Sequence, residues 1–234
     1  VSMKKLVGQG MCEGAYGFST GLFYSPQSYS TKDEVITLAG EAASRGGIYD
    51  SHLRDESSYT VGLQGAVQEL IDIGHATGMP VHIAHIKALG VDVHGESLDV
   101  IDLVEKAQAS GLVITADQYP WIASGTSISA ALLPRWAQVG GEAEMLSRLK
   151  DAEQGREIRT AMAENLRRRG GPESLLLSNR VNQELIGKTL KDLSEEWGLE
   201  PIEAAVKVLE MGGAGLASFN QSEDDVKRFM KQAW

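Results

Sequence analysis

Cysteine is nearly absent from this 234-residue chain, which contains only Cys12. A single cysteine excludes an intrachain disulfide and any zinc site built from several cysteines. The sequence also lacks an apolar run of about 18 residues, which a membrane-spanning helix needs, and it opens with no secretory signal. These absences predict a protein without a membrane anchor, and we expect a cytoplasmic location.

Positive charge is scarce as well. The chain has 22 Lys and Arg residues against 32 Asp and Glu residues, which gives a formal net charge of −10. Nucleic-acid-binding proteins need basic patches or stripes, so this balance argues against that class. Hydrophobic residues make up 42% and charged residues 23% of the chain, as in ordinary globular proteins. The length suits one large domain or two small ones.

What the chain does have is a series of short apolar segments that turn polar at their ends. The four segments are Ala15–Thr20, Gly47–His52, Val81–Lys87 and Leu112–Tyr119. The polar residues near their ends, at intervals of 33, 33 and 32 residues, are Ser19, His52, His85 and Asp117. A (βα)8 barrel spends roughly 31 residues on each unit, and it places its active site at the carboxyl ends of the strands. The spacing therefore predicts four consecutive, parallel βα units.

The regular spacing breaks after Tyr119. The next strand-like run, Ser174–Ser178, begins 55 residues later, and the interval contains helical patterns. A connection of that length is more often a lid or an insert than a structureless loop. We therefore predict an α/β fold that is a partial (βα)8 TIM barrel with a helical insert. The predicted parts are consecutive βα units at 1–119, the insert at 120–172, and later βα units of the same barrel at 173–234.

The third segment carries the most chemistry. Side chains alternate along a strand, so Val81, Ile83, His85 and Lys87 are predicted to share one face. His82 is then expected to point toward the helices and to have a structural role.

Two histidines at successive strand ends suit a single metal ion. His52 and His85 offer neutral imidazole nitrogens, which zinc binds readily, and catalytic zinc sites keep one position open for water. Their spacing fits equally well with two hydrogen-bonded polar residues at the barrel rim. Lys87 likewise fits either a substrate carboxylate or a rim salt bridge. Tyr119 precedes Pro120, which favours an extended residue and ends the strand.

Five longer motifs carry more information about function than the spacing of single residues does. The chain reads GAYGFSTGL at 14–22, GIYDSHLRDE at 47–56, HIAHIK at 82–87 and ADQYPWIAS at 116–124, and it closes with SEDDVKRFM at 222–230. In this order the motifs resemble the D-aminoacylase (N-acyl-D-amino-acid deacylase) family of the amidohydrolase superfamily, along essentially the whole chain.

The resemblance implies a zinc-dependent hydrolase that removes the acyl group from an N-acyl-D-amino acid, a small-molecule substrate. The zinc-binding histidines of the family match His52 and His85. Its substrate-binding lysine and tyrosine match Lys87 and Tyr119.

The resemblance also implies that parts of the site lie outside this chain. The family's His-x-His motif and its cysteine ligand would precede Val1, and its general-base aspartate would follow Trp234. We therefore assign no catalytic residue within the chain. The resemblance thus places this chain at about strands 3–7 of a metal-dependent hydrolase barrel, and the activity is expected of a full-length protein in which this chain is an internal part.

Two alternatives stay open. The substrate is a cyclic amide in dihydroorotase and hydantoinase relatives, although these usually carry a metal-bridging lysine where this chain has His52. The other alternative is a structural or interaction module that has lost its catalytic ends. For the isolated chain we predict no deacylase activity. We also predict self-association, either through exposed sheet edges or by burial of an exposed apolar face against a second copy.

Overall fold

The computed structural model describes residues 2–179 and 183–234, which fall into two compact units. Unit 1 comprises the described parts of Val1–Ala88, Gly95–Pro120 and Asp224–Trp234. Unit 2 comprises the described parts of Leu89–His94 and Trp121–Glu223. None of the helices in these described residues is long and apolar enough to cross a membrane.

Unit 1 alternates helices and strands. Its elements are α1 (Ser2–Cys12), β1 (Gly17–Gly21), α2 (Lys32–Ala43), β2 (Ile48–His52), α3 (Gly62–Thr77), β3 (Val81–Ile83), α4 (Ser97–Ala109) and β4 (Ile114–Ala116). The four strands form one parallel sheet in the order β1-β2-β3-β4. Parallel neighbours need crossover connections, which the helices supply. The prediction of four adjacent parallel strands is confirmed.

Helix α3 packs directly on one face of this sheet. Tyr49, Val81 and Ile114 stand in register there, and all three side chains are buried. A Cβ atom added to Gly74 of α3 would lie 2.9 Å from a methyl group of Val81. Glycine is therefore needed at position 74 for this close approach of helix and strand.

The opposite face of the sheet carries polar side chains. Asp50, His82 and Thr115 stand in register in the neighbouring row. His82 Nδ1 lies 2.7 Å from Thr115 Oγ1. The expectation that His82 points toward the helices is wrong, because strand alternation gives the helix side to its neighbour Val81.

Strand β3 is shorter than the sequence predicts. It ends at Ile83, and a turn follows at Ala84 and His85, where His85 has a φ of 40° in the left-handed region. The backbone N–H of His85 donates a hydrogen bond to the Asp117 carboxylate. The prediction that His85 and Lys87 continue the strand face of Val81 is therefore wrong. These residues reach the end of the sheet through a turn.

Unit 2 is built on a different sheet. Its elements are β5 (Ala123–Ser127), α5 (Ile128–Leu132), α6 (Glu142–Lys150), α7 (Gln154–Arg168), β6 (Leu175–Asn179), α8 (Leu190–Trp197), α9 (Pro201–Glu210) and β7 (Gly215–Phe219). The strands form an antiparallel sheet in the order β5-β7-β6. A last helix, α10 (Glu223–Phe229), begins at the final residue of unit 2 and continues in unit 1.

Strand β6 lies where the sequence predicts it, but β6 and β7 do not pair as successive βα units would. They pair antiparallel, whereas successive βα units pair parallel. Strand β5 was not predicted, since its sequence ASGTS has no apolar alternation. Among residues 2–179 and 183–234 the strands form two open sheets and no closed barrel. The three-part division at 119/120 and 172/173 stays a prediction.

The core of unit 2 is aliphatic. Leu175 and Leu177 alternate on the inner face of β6, and Leu216 of β7, Ile158 and Met162 of α7 are buried with them. Burying each such side chain contributes about 1.5–3 kcal/mol. This hydrophobic packing explains why the pattern of helices in the second half could be read from the sequence.

Candidate metal centre

Asp55 shapes the loop that follows β2. Its buried carboxylate accepts hydrogen bonds from the backbone N–H groups of Ser57 at 2.9 Å, Thr60 at 2.5 Å and Gly62 at 3.2 Å. Aspartate suits this role because its short side chain bonds nearby backbone groups. The folded loop keeps the side chain of the next residue, Glu56, 3% exposed.

His52 and His85 meet at the carboxyl ends of β2 and β3. His52 Nδ1 lies 2.9 Å from His85 Nε2, and the two rings are tilted by 75° with centroids 4.4 Å apart. His52 is the last residue of β2, and the ring of Tyr24 packs against it at 4.9 Å. The turn after β3 supplies His85. Two imidazole nitrogens thus face each other across a short gap.

Glu56 contacts both imidazoles. Its Oε1 lies 3.2 Å from His85 Nδ1, and its Oε2 lies 3.6 Å from His52 Nε2. Lys87 Nζ lies 2.5 Å from Glu56 Oε1 and 2.8 Å from His85 Nδ1. The Lys87 side chain is 2% exposed, so its charge is buried together with that of Glu56.

The electrostatics of this cluster are decided by the buried ion pair. Burial raises the pKa of the Glu56 carboxyl, but the attraction of Lys87 and then of His52 and His85 outweighs it and lowers that pKa to about 2. Glu56 is therefore ionised at neutral pH. A buried ammonium needs such a partner, because an uncompensated charge in the interior is costly.

Tyr119 completes the cluster. Its ring centroid lies 5.7 Å from that of His85, and Lys87 Nζ lies 5.2 Å from the Tyr119 ring. Burial, followed by the negative charge of Glu56, raises the pKa of the Tyr119 phenol to about 12. At neutral pH the phenol is thus an O–H donor. A phenol and an ammonium group close together suit the binding of a carboxylate.

The donor set fits a divalent metal. Among the described residues, one group of three His, Cys, Asp or Glu side chains has ligand atoms within 4.8 Å of one another, and it consists of His52, Glu56 and His85. Imidazole and carboxylate groups are common zinc ligands. The two facing nitrogens, at 2.9 Å, repel each other if both present lone pairs, and a cation between them removes that repulsion.

The structure brings together all four site residues that the sequence predicted, His52, His85, Lys87 and Tyr119. Their roles as metal ligands and substrate contacts stay predictions. Sequence reasoning missed Glu56. A signal existed, since Glu56 follows His52 by four residues, but a carboxylate in a charge-dense loop is usually solvated.

Comparisons with known proteins show which proteins this chain resembles in sequence. No family model matches the chain. Its sequence is 36% identical over 127 residues to D-aminoacylase from Alcaligenes xylosoxydans, which covers 54% of this chain and 25% of that protein. The chain therefore spans only part of the relatives that it matches.

Solved structures cover nearly the whole chain. One is N-acyl-D-glutamate deacylase from Bordetella bronchiseptica, complexed with zinc and a phosphonate mimic of the tetrahedral intermediate. It matches with a TM-score of 0.75 and 25% identity over 99% of this chain and 40% of that one. Another is a D-aminoacylase described as defining a novel subset of amidohydrolases, with a TM-score of 0.69 and 26% identity over 98% of this chain and 40% of that one.

The parallel sheet with its histidine pair and these matches together define an amidohydrolase-type protein. Within that class, the chain is similar in sequence and in fold to D-aminoacylases and N-acyl-D-glutamate deacylase. It spans a quarter to two fifths of the length of these relatives.

Proposed function

We propose that the protein containing this chain hydrolyses the amide bond of N-acyl-D-amino acids at a zinc site that includes His52 and His85. The observation that carries the proposal is the pair of imidazole nitrogens facing each other at 2.9 Å beside a buried carboxylate. The zinc and the phosphonate bound to the Bordetella bronchiseptica relative support it.

His52 and His85 would hold the zinc ion through imidazole nitrogens. When bound, zinc supplies Lewis-acid activation of an amide carbonyl and of water. Lys87 and Tyr119 would bind the substrate carboxylate. Holding the substrate in place makes its reaction with water effectively intramolecular.

Metal content and hydrolysis test this function. In the whole protein that contains this chain, we expect stoichiometric zinc and hydrolysis of an N-acetyl-D-amino acid, with little turnover of the L isomer. His52→Ala and His85→Ala should remove zinc and activity together. His75→Ala is the matched control, because His75 lies on an exposed part of α3. A double variant of His52 and His85 that still holds stoichiometric zinc would contradict the ligand assignment.

We further propose that β1 to β4 are consecutive strands of a (βα)8 barrel. Their parallel order, the packing of α3 on one face and the polar row on the other support this. Among the described residues, β1 and β4 are the outer strands of their sheet. Outer strands offer unpaired backbone groups to other chains. The isolated chain is therefore expected to self-associate.

Sedimentation measures this directly. The isolated 234-residue chain at micromolar concentration should sediment as dimers or larger species, and it should show no deacylase activity in added zinc. A well-behaved monomer would contradict the edge-pairing proposal.

A further inference from the structure

The turn that presents His85 is bonded at three points to a single residue, Asp117, which directly follows strand β4. The backbone N–H of Asp117 donates to the carbonyl of Ile83 at 3.2 Å, and the carbonyl of Asp117 accepts the N–H of Ile86 at 2.8 Å. Between these two bonds, Asp117 Oδ1 accepts the backbone N–H of His85. Asp117 thus contacts the turn before, at and after His85.

The backbone of His85 requires such support. Its φ of 40° lies in the left-handed region, where the Cβ atom of an L-residue is crowded by the backbone. A residue stays in that region only where the surrounding structure fixes it. The two backbone bonds of Asp117 fix the ends of the turn, and its carboxylate reaches His85 itself.

The second oxygen of this carboxylate has a partner in the polar row of the sheet. The Asp117 side chain is 68% exposed, so packing alone does not hold its orientation. His82 Nε2 lies 3.4 Å from Asp117 Oδ2, and His82 Nδ1 lies 2.7 Å from Thr115 Oγ1. His82 and Thr115 stand in register on β3 and β4, and Asp117 follows Thr115 by two residues. Three side chains on one face therefore form a chain of hydrogen bonds that ends at the N–H of His85.

The direction of the hydrogen bonds in this chain follows from the carboxylate. An aspartate with an ordinary pKa of about 3.9 is ionised at neutral pH, and an ionised carboxylate only accepts hydrogen bonds. The N–H of His82 is therefore at Nε2, and Nδ1 accepts the hydroxyl proton of Thr115. The opposite tautomer would turn a lone pair of His82 toward the carboxylate.

We propose that His82 is a positioning residue that, through Asp117, sets the backbone turn from which the His85 imidazole reaches the proposed metal site. The inference rests on the proposed zinc site for its effect on metal binding, whereas the hydrogen-bond chain itself involves no metal. Its effect should be smaller than the loss of a ligand, because the bond from His82 to Asp117, at 3.4 Å, is long.

Nuclear magnetic resonance of the metal-free whole protein, with ¹⁵N-labelled histidine, tests the chain of bonds directly. We expect a protonated Nε2 in His82, and a downfield amide proton for His85 because that N–H is bonded to a carboxylate. The His85 amide signal is assigned as the one missing in His85→Ala. In His82→Phe, which keeps a ring but removes both hydrogen bonds, this signal should move upfield. An unchanged His85 amide signal in His82→Phe, or a His82 ring protonated at Nδ1 alone, would overturn the proposal.

Zinc affinity tests the positioning role. Chelator competition with His82→Phe should show a loss of about 10-fold, at the low end of the range for residues that support metal ligands. His82→Gln keeps an N–H donor for Asp117 and should restore part of the affinity, which the loss of a ring alone would not predict. An affinity of His82→Phe equal to that of the wild type would contradict the role.

Two further variants guard this test. If His82→Phe does not fold, Thr115→Val replaces it, because valine matches the shape of threonine and removes only the hydroxyl that orients His82. The His85 amide should then move in the same direction by a smaller amount, and an unchanged signal would overturn the proposal. The matched control is His75→Phe, at an exposed histidine of α3 whose Nε2 lies 3.4 Å from Ser110 Oγ. It should alter neither the His85 amide nor zinc affinity.

The failure of this inference and the failure of the proposed function give different results. If His85→Ala abolishes zinc binding while His82→Phe changes neither the His85 amide nor zinc affinity, the positioning role is wrong and the zinc site stands. If His82→Phe moves the His85 amide but His85→Ala leaves zinc affinity unaltered, the hydrogen-bond chain stands and the assignment of His85 as a zinc ligand is wrong.

Discussion

The two sheets of this protein run their strands in different ways, and the parallel one brings two histidines together at its carboxyl edge. In unit 1 all four strands point the same way, so His52 at the end of β2 and His85 just after β3 come together although 33 residues separate them. In unit 2 neighbouring strands point in opposite directions and their carboxyl ends lie at opposite edges. Strand direction therefore decides where a recurring polar residue can become a site.

The two units also differ in what is buried. The carboxyl edge of the parallel sheet buries the ion pair of Lys87 and Glu56, whereas the core of unit 2 is a cluster of aliphatic side chains that includes Leu177. We expect unit 1 to be sensitive to the loss of a charge and unit 2 to the loss of volume. The predictions below test this contrast.

The largest effect is expected for Lys87→Met. It leaves the Glu56 carboxylate buried without its cation, which costs about 3–5 kcal/mol. Urea unfolding of the metal-free protein at neutral pH measures the free energy of unfolding. The control is Lys32→Met, which breaks an exposed pair with Asp72 at 2.8 Å. Such a surface pair contributes at most about 1 kcal/mol, so equal losses in the two variants would contradict the contrast.

A somewhat smaller effect is expected for Leu177→Ala. This side chain is fully buried in unit 2, and truncation of a core leucine costs about 2–5 kcal/mol. Unfolding should report the loss, while zinc affinity of the folded variant stays at the wild-type value. Leu98→Ala on α4, at a side chain 59% exposed, is the control. A lower zinc affinity in Leu177→Ala would show that the packing of unit 2 and zinc binding in unit 1 are not separable.

The smallest effect is expected for Asp117→Ala. The Asp117 carboxylate accepts the backbone N–H of His85, and although burial opposes ionisation, this bond lowers the pKa of Asp117. Its removal frees the turn that holds His85 and costs about 1 kcal/mol. Zinc affinity should fall with it, by chelator competition. Asp117→Asn keeps an oxygen acceptor and should retain more of the zinc affinity than Asp117→Ala. A lower affinity in Asp117→Asn than in Asp117→Ala would contradict the role of the hydrogen bond from the His85 backbone N–H.

Much of the fold was predictable because local patterns report local structure. Helix α8, for example, begins with a capping box between Thr189 and Asp192, which lie only three residues apart in the chain. The interval of about one βα unit located all four parallel strands. The site residues His52, His85, Lys87 and Tyr119 came from the same spacing and from the family motifs.

Other features depended on partners distant in the chain. The pattern of β6 and β7 marks both as strands, yet nothing in it states that they pair antiparallel or that β5 joins them. Likewise, no periodicity reveals that Asp55 folds its loop so that Glu56 turns inward.

The sequence by itself determined where the four parallel strands lie and which polar residues follow them, because hydrophobic period and spacing are local properties. The tertiary structure alone decided the direction of the second sheet, the left-handed turn at His85 and the burial of Glu56 between two histidines and a lysine. Each of these depends on hydrogen bonds and charges contributed by residues far apart in sequence, and their energies exist only once the chain has brought those groups together.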